Sequence, residues 1–344
     1  MHKNCNMNIY NIIKIFNKIR STRLKLFTIY IMYIAKRRFL SLYVDPVIAC
    51  NLRCQMCYFS SDNYKHEKLE KRILDINEFS FFAKSIFNRA IKVQIGCGAE
   101  PTLYSHLEEL VKIAKQHKVP YISLTTNGNL LKSDTLYNMV KNGLNEITIS
   151  SHGITRETYE KLMQRANYDS FINLLNILRG IKKDFPDFII RLNYTVNEDN
   201  VEELVDLPNL FVGLKLNIIQ IRPVQNLGDS LYKNFSMQKI IDCYDSIFPL
   251  LQSYCENNNI ILLYPSKDNL NNINKITNDN MLLDFVHIDV RPSLFWRDDF
   301  DYHHESFEQY TSRTNLGLSI LKKIVRLKGE QGDYLTKPLN YQVK

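Results

Sequence analysis

From about residue 42 to residue 222 the chain alternates between two apolar patterns. Short segments rich in Val, Ile, Tyr and Thr alternate apolar and polar side chains with a period of two, and longer segments between them repeat their apolar residues every three or four positions. The short segments predict strands over 42–48, 91–96, 120–126, 145–150, 188–196 and 214–222. The longer ones predict helices; Leu107, Leu110, Val111 and Ala114 form one such apolar stripe, and Ser105 with Glu108 three residues on reads as its capping box. Strands that alternate with helices belong to βα units around a parallel sheet or barrel. Six units make an α/β fold of the partial (β/α)6, TIM-like barrel kind, two units short of a full barrel.

The strands also carry polar residues on one face. Arg191, Asn193 and Thr195 share a face of the fifth strand with Ile189, while Ile190, Leu192, Tyr194 and Val196 share the other. Glu146, Thr148 and Ser150 lie together on the fourth strand, Tyr121, Ser123 and Thr125 on the third, Gln220 and Arg222 on the sixth. A lumen packed for stability alone is filled with branched apolar side chains. A polar inner face therefore predicts a lumen that holds a polar ligand.

The pattern changes outside this core, which divides the chain into an arm over 1–41, a barrel over 42–225 and a C-terminal extension over 226–344 that serves as a substrate or lid region. In the arm, Ile9, Ile12, Ile13, Phe16 and Ile19 form an apolar stripe at helical spacing beside Lys14, Lys18 and Arg20, and the run from Phe27 to Tyr33 is apolar and aromatic. In the extension, Ser236 to Glu256 predicts a helix kinked or split at Pro249. Ile260 to Tyr264 predicts one more strand, and Ser266 to Asn280 an Asn-rich loop. The segment from Ser293 to Glu305 gathers Asp298, Asp299, Asp301, His303, His304 and Glu305 among aromatic residues.

Composition adds little until it is located along the chain. Hydrophobic residues make up 45% and charged residues 23% of the 344, as in a globular protein with a large core. The net charge of +8 belongs to the arm: nine basic residues precede the first acid, Asp45, and the rest of the chain nearly balances. This argues for a local anionic partner, such as a membrane surface touched by the arm, and against nucleic acid; the alternative is that the arm's apolar stripe packs on the open side of the barrel. The apolar run Leu26 to Ala35 is too short to cross a bilayer and is followed by Lys36-Arg37-Arg38 rather than a cleavage site. Of the seven cysteines, Cys5, Cys97, Cys243 and Cys255 are scattered without repeat spacing, which predicts a cytoplasmic protein with no disulfide framework and Cys97 as a small buried residue.

The other three cysteines are concentrated. Cys50, Cys54 and Cys57 stand in Ala49-Cys-Asn-Leu-Arg-Cys-Gln-Met-Cys-Tyr58, directly after the first strand; three thiolates on one loop can bind three irons of a four-iron cluster and leave the fourth open. Gly98-Ala-Glu-Pro-Thr-Leu103 follows the second strand, Thr125-Thr-Asn-Gly128 ends the third and Ile149-Ser-Ser-His-Gly153 ends the fourth. In this order the motifs resemble the radical S-adenosylmethionine (radical SAM) superfamily, over residues 42 to 225. The resemblance implies a [4Fe-4S] cluster on the three cysteines, with S-adenosylmethionine chelating the open iron. One electron, from a donor such as flavodoxin or ferredoxin, then cleaves the sulfonium to methionine and a 5′-deoxyadenosyl radical, which abstracts hydrogen from a small-molecule or peptide substrate. It further implies that the backbone of Gly98, Ala99 and Glu100 meets the methionine ammonium, with Ala99 where Gly is usual. Ser150 matches the ribose position, and Asn193 or Arg191 is available to ribose or carboxylate. Met56 stands where an aromatic residue is common and can pack apolar surface beside the cluster.

Several other readings compete. The cysteines could hold zinc with Cys97 as fourth ligand in a non-catalytic scaffold, or the enzyme could generate a glycyl radical on a partner protein. The Asp298–Glu305 segment has metal-ligand and proton-transfer chemistry, although a surface loop or a lid over the barrel mouth suits it better. No cysteine follows Cys255, so the sequence contains no C-terminal auxiliary-cluster domain. The same absence argues against the pterin-precursor cyclase branch, which holds a second cluster near its C-terminus. Radical methyl transfer to RNA has little support in a core that is not basic.

Overall fold

A computed structural model describes residues 19, 21–61, 72–225, 230–271 and 282–326. The apolar stripe at Ile9, Ile12, Ile13 and Phe16 lies outside these residues. After a helix α1 (Thr22–Ile34), six strands follow the predicted order: β1 (Leu40–Val44), β3 (Ala90–Ile95), β4 (Tyr121–Thr126), β5 (Glu146–Ser151), β7 (Ile189–Val196) and β8 (Ile218–Pro223). All are parallel neighbours in one sheet in that order. Helices α2 (Ile76–Ile86), α3 (Leu107–Gln116), α4 (Ser133–Lys141), α5 (Arg156–Leu162) and α6 (Tyr168–Asp184) connect them. A further pair of two-residue strands, β2 (Arg53–Cys54) and β6 (Met163–Gln164), stands apart from the sheet.

The sheet is wider than six strands because C-terminal residues join both edges. The expected seventh strand forms as β9 (Ile261–Leu263) beside β8, while β10 (His287–Arg291) adds a parallel strand beside β1 and β11 (Leu294–Phe295) pairs antiparallel with β10. β10 escaped sequence reading because its continuation, Ser293 to Glu305, is dominated by charge and aromatic residues. The first strand stops at Val44, earlier than the predicted 48, since the residue before Pro46 turns the chain out of the sheet.

Two local expectations are corrected. Helix α3 takes His106 as N-cap with no side-chain cap bond, not Ser105; Glu108 and Glu109 in its first turn complement the helix dipole instead, and His106 Nδ1 lies 2.8 Å from Glu109 Oε2. The region Ser236–Glu256 does split, but at Cys243: one short helix covers Gln238–Asp242, and the longer α7 (Tyr244–Asn257) runs through Pro249.

The core lies between the sheet and its helices. Ile190, Leu192, Tyr194 and Val196 on the outer face of β7 are all at most 1% exposed, whereas Ile189, Arg191, Asn193 and Thr195 alternate with them, half-buried, on the inner face. Leu107, Leu110, Val111 and Ala114 of α3 pack into the same core. At the base of the sheet, where the strands begin, Arg38 donates to the carbonyls of Phe87 at 2.6 Å, Ala90 at 2.9 Å and His117 at 3.0 Å. Beside it buried Arg89 donates to Tyr33 O at 2.8 Å and lies 5.3 Å from the Phe39 ring and 5.5 Å from the Phe307 ring. Phe307 begins α8 (Phe307–Arg313), and α9 (Leu316–Arg326) after it packs on α1.

Candidate active site at the mouth of the barrel

The cysteine loop is clamped before it offers any chemistry. Arg53 pairs with Gln164 and Cys54 with Met163 across β2 and β6, and Gln55 adds N–H to Leu162 O at 3.0 Å and Nε2 to Lys161 O at 2.9 Å. Arg53 turns back to donate to Cys50 O at 2.8 Å, placing a cation beside the thiols. Met56 is buried against Leu162 and Val224 and covered by Tyr232, Phe235 and Met237. Cys50, Cys54 and Cys57 are left partly buried and unbridged.

The electrostatics suit a cationic guest. Burial pushes the Cys50 thiol up to about 11 against an opposing hydrogen bond from Leu52 N–H, and burial raises Cys54 still further, with Cys57 and Cys50 as like-charged neighbours. Cys57 is raised by burial as well. Three thiolates so close are costly unless metal supplies positive charge. Among the described residues no group of three or more His, Cys, Asp and Glu side chains converges on one ion. A zinc site needs such convergence, and Cys97 is exposed rather than buried, its N–H held by Asp45 Oδ1 at 2.7 Å. A four-iron cluster needs no convergence, because each thiolate takes its own iron. Three thiolates on one clamped loop, each able to take its own iron, fit the cluster.

The Gly98–Glu100 loop is fixed from beneath. Asp45 accepts from Gly98 N at 3.0 Å and Tyr58 donates to Gly98 O at 2.6 Å, so the residue after the third cysteine ties the two loops together. A Cβ on Gly98 would meet Tyr58 Oη at 3.0 Å; one on Gly96, whose φ is +77°, would stand 2.3 Å from Thr125 O. Glu100 N–H donates to Ala49 O at 3.0 Å. Its carboxylate is buried and accepts from Thr102 Oγ1 and Thr126 Oγ1, both at 2.6 Å, Thr102 N at 3.1 Å and Asn127 N at 2.9 Å. Burial raises its pKa against these four donors. The side chain is thus a buried pin and leaves only backbone for a ligand. Glu100, after β3, and Ser150, on β5, are separated by β4.

Register brings the remaining inner-face residues into layers. Thr148 pairs with Arg191 in the lower layer and Ser150 with Asn193 in the upper one, beside Gln220. In the lower layer Arg191 Nε lies 3.1 Å from Glu146 Oε1 and its Nη1 donates to Gln220 Oε1 at 2.9 Å; Thr148 donates to Glu146 at 3.1 Å and Tyr121 bonds the other carboxylate oxygen. Arg191 is therefore committed to protein partners. Asn193 is not: its Oδ1 is buried with no hydrogen-bond partner. A buried acceptor left open costs free energy unless a ligand fills it. Asn127, within the Thr-Thr-Asn-Gly motif, donates to Asn51 Oδ1 at 2.9 Å and approaches Cys50 Sγ at 3.9 Å.

The Asp298–Glu305 segment takes no part in the mouth. Tyr302 donates to Glu78 Oε2 at 2.6 Å and His303 Nε2 lies 2.9 Å from the same atom, which fastens the segment to the outer helix α2; His304 pairs with Asp301, and Arg313 with Glu305. It is a surface loop and not a lid.

The sequence profile of the radical SAM superfamily matches residues 45–210, from the end of β1 to the turn before β8. Over these residues, just under half of the chain, the protein matches the radical SAM superfamily. Curated relatives include proteins named probable GTP 3',8-cyclase from Saccharolobus islandicus, 32% identical over 200 residues that cover 57% of this chain and 61% of theirs, and from Methanocaldococcus jannaschii, 28% identical over 205 residues covering 58% and 65%. The chain thus spans about three-fifths of the length of the curated relatives it matches. These relatives resemble the chain over about 200 residues, so the lack of a cysteine after Cys255 does not argue against that resemblance, contrary to expectation. Among solved structures, SuiB of Streptococcus suis shares 14% identity over 90% of this chain and 80% of its own with a TM-score of 0.58. The chain anSMEcpe with bound AdoMet and Cp18Cys peptide shares 14% identity over 85% and 84% with a TM-score of 0.56. Both likenesses are of fold, the partial TIM barrel. S-adenosylmethionine is bound in the solved SuiB and anSMEcpe chains, and the radical SAM family uses it with a [4Fe-4S] cluster.

Sequence reading missed Asp45, Arg53, Tyr58 and the Leu162–Gln164 clamp. Asp45 had a signal, an acid directly before Pro46 at a strand end; Tyr58 and the Leu162–Gln164 clamp had none, because they act on backbone from a distant part of the chain, and Arg53 acts on carbonyls of its own loop.

Proposed function

We propose that this enzyme abstracts a hydrogen atom from a polar substrate held in the lumen beneath the cysteine loop. The supporting observation is the open upper layer, where Asn193 Oδ1 is buried without a partner beside Ser150, directly above a saturated Glu146–Arg191 layer. Cys50, Cys54 and Cys57 hold the cluster, and the backbone of Gly98, Ala99 and Glu100 receives the methionine ammonium. Ser150 and Asn193 take the ribose hydroxyls; Arg191 orients the layer below rather than touching the cofactor. A cluster held by the three cysteines would supply the one electron that S-adenosylmethionine needs to give methionine and a 5′-deoxyadenosyl radical. The chain's own work is positional: Asp45 and Tyr58 hold the Gly98 loop at fixed distance from the cysteines, Glu100 locks that loop to Thr126 and Asn127, and the apolar cover of Met56, Leu162 and Val224 shields the loop from water. An electron donor of the flavodoxin or ferredoxin kind delivers the electron.

The names of the curated relatives favour a second reading, cyclisation of GTP. Within these 344 residues no cysteine beyond Cys255 is available for a second cluster, so the first reading keeps the substrate open to other polar molecules, peptides included. Anaerobic protein, reduced in the presence of S-adenosylmethionine with and without GTP, tests both. Formation of 5′-deoxyadenosine supports hydrogen abstraction, and consumption of GTP in step with it would establish the cyclase reading. Absence of 5′-deoxyadenosine from protein with a full cluster would refute both.

A further inference from the structure

The base of the barrel carries a surface that its packing does not use. Helix α1 buries Lys25, Leu26 and Ile29 against the body of the protein. On its other side Leu24, Phe27, Ile31 and Ile34 recur at helical spacing, each about half exposed, from 47% to 55%. The exposed residues between Arg23 and Arg37 are Arg23, Leu24, Phe27, Ile31, Ile34, Ala35, Lys36 and Arg37, so every one is apolar or basic. Helix α9 packs closely on α1, where a Cβ on Gly317 would stand 3.0 Å from the Tyr33 ring. It adds exposed Leu318 and Val325 with Lys322, Lys323 and Arg326. Neither helix contains an acidic residue.

A large exposed apolar stripe marks an interaction site, and its rim of one sign of charge says with what. A protein partner or a second copy of this chain would be met by mixed charge; an apolar layer beneath anionic headgroups is met by apolar side chains flanked by cations. We infer that the α1–α9 base docks on an anionic membrane surface, with Phe27, Ile31 and their neighbours entering the headgroup boundary and Lys36 and Arg37 pairing with lipid phosphate. Among the described residues no helix is long and apolar enough to cross a membrane, so the contact is interfacial. The geometry has a consequence for the reaction. Arg38, immediately after α1, bonds carbonyls that precede β3 and β4, which places the docking face at the strand starts and leaves the cysteine mouth at the opposite end open to substrate.

Flotation of the full chain with phosphatidylglycerol–phosphatidylcholine vesicles, against pure phosphatidylcholine vesicles, at low and high salt, tests the inference. The expected result is binding to the anionic vesicles at least about tenfold above the neutral ones and weakened by salt. The double variant F27E/I31E, and separately L24Q/I34Q, should lose it while melting like wild type; the milder pair guards against a folding defect in the first. Absence of binding, equal binding to both vesicles, or binding retained by both variants would overturn the proposal. So would a dimer of the wild-type chain, dispersed by the same variants, that does not float with lipid, since a second copy would then occupy the face.

Discussion

The two ends of one parallel sheet treat charge in opposite ways. At the base, Arg38 donates to three carbonyls, and Arg89 is closed in by Tyr33 O, Glu308 at 3.5 Å and two aromatic rings. At the mouth, three thiols lie together with raised pKa values and Asn193 keeps a buried acceptor open. The difference teaches where the fold puts stability and where it puts chemistry. At the base Arg38 is matched by three carbonyls and Arg89 by a carbonyl, an ion pair and aromatic faces, with Arg89 Nη1 left buried without a hydrogen bond; the thiols and the open acceptor at the mouth wait for a cluster and a cofactor.

The sharpest way to break the comparison is to exchange the consequences of damage at the two ends. Replacing Cys54 by Ala should abolish the cluster and all cleavage of S-adenosylmethionine while the fold persists, because the β2–β6 clamp depends on backbone pairing and not on the thiol; iron analysis with circular dichroism checks both halves. Replacing Arg89 by Ala at the base should do the reverse. Loss of its packing and of the donor to Tyr33 O should cost about 2–4 kcal/mol of stability, seen in denaturant unfolding, with cleavage per folded molecule unchanged.

A pH experiment sharpens the same contrast at the mouth. Burial pushes His152 down to about 4, and the nearby charge of Arg222 adds a smaller push, so the folded protein holds this ring neutral. Its Nδ1 is buried without a partner. Since the folded pKa lies below the unfolded value near 6.5, the unfolded chain binds the proton first. The contribution is complete above pH 6.5 and is lost as pH falls toward 4, by on the order of 2–3 kcal/mol. Melting curves across this window should show the loss in wild type and a flatter response in H152N. A smaller effect is expected from Ser150→Val, which should weaken S-adenosylmethionine binding by about 1–3 kcal/mol through an unpaired ribose hydroxyl, with iron content intact; equilibrium titration of the anaerobic protein reads it, and unchanged affinity would remove Ser150 from the site.

The mouth was more legible in the sequence than the base. Six strands could be placed because a period of two with β-branched residues is a local signal, and the four motifs stand at strand ends, where a barrel gathers its loops. The layers of polar residues followed from the same period, and register confirmed them: Ser150 stands opposite Asn193 and Thr148 opposite Arg191. What could not be read were partnerships between distant segments. Arg191 looked free for a ligand until the fold brought Glu146 and Gln220 to it. The sequence points to Glu100 for its backbone alone, and the task of its carboxylate appears only where Thr126 and Asn127 enclose it. The strand at His287–Arg291 needed β1 as a template, 243 residues or more away along the chain, and the acidic, His-containing segment after it found a partner in Glu78 of α2.

The central claim is that the mouth alone carries the radical chemistry. Iron, sulfide and 5′-deoxyadenosine should therefore be measured together on anaerobically purified wild type and on the Cys50→Ala, Cys54→Ala and Cys57→Ala variants under one reductant. The account predicts about four irons and four sulfides per wild-type chain with steady cleavage of S-adenosylmethionine, and neither property in any of the three variants. A variant that retains its full cluster and its cleavage would contradict it.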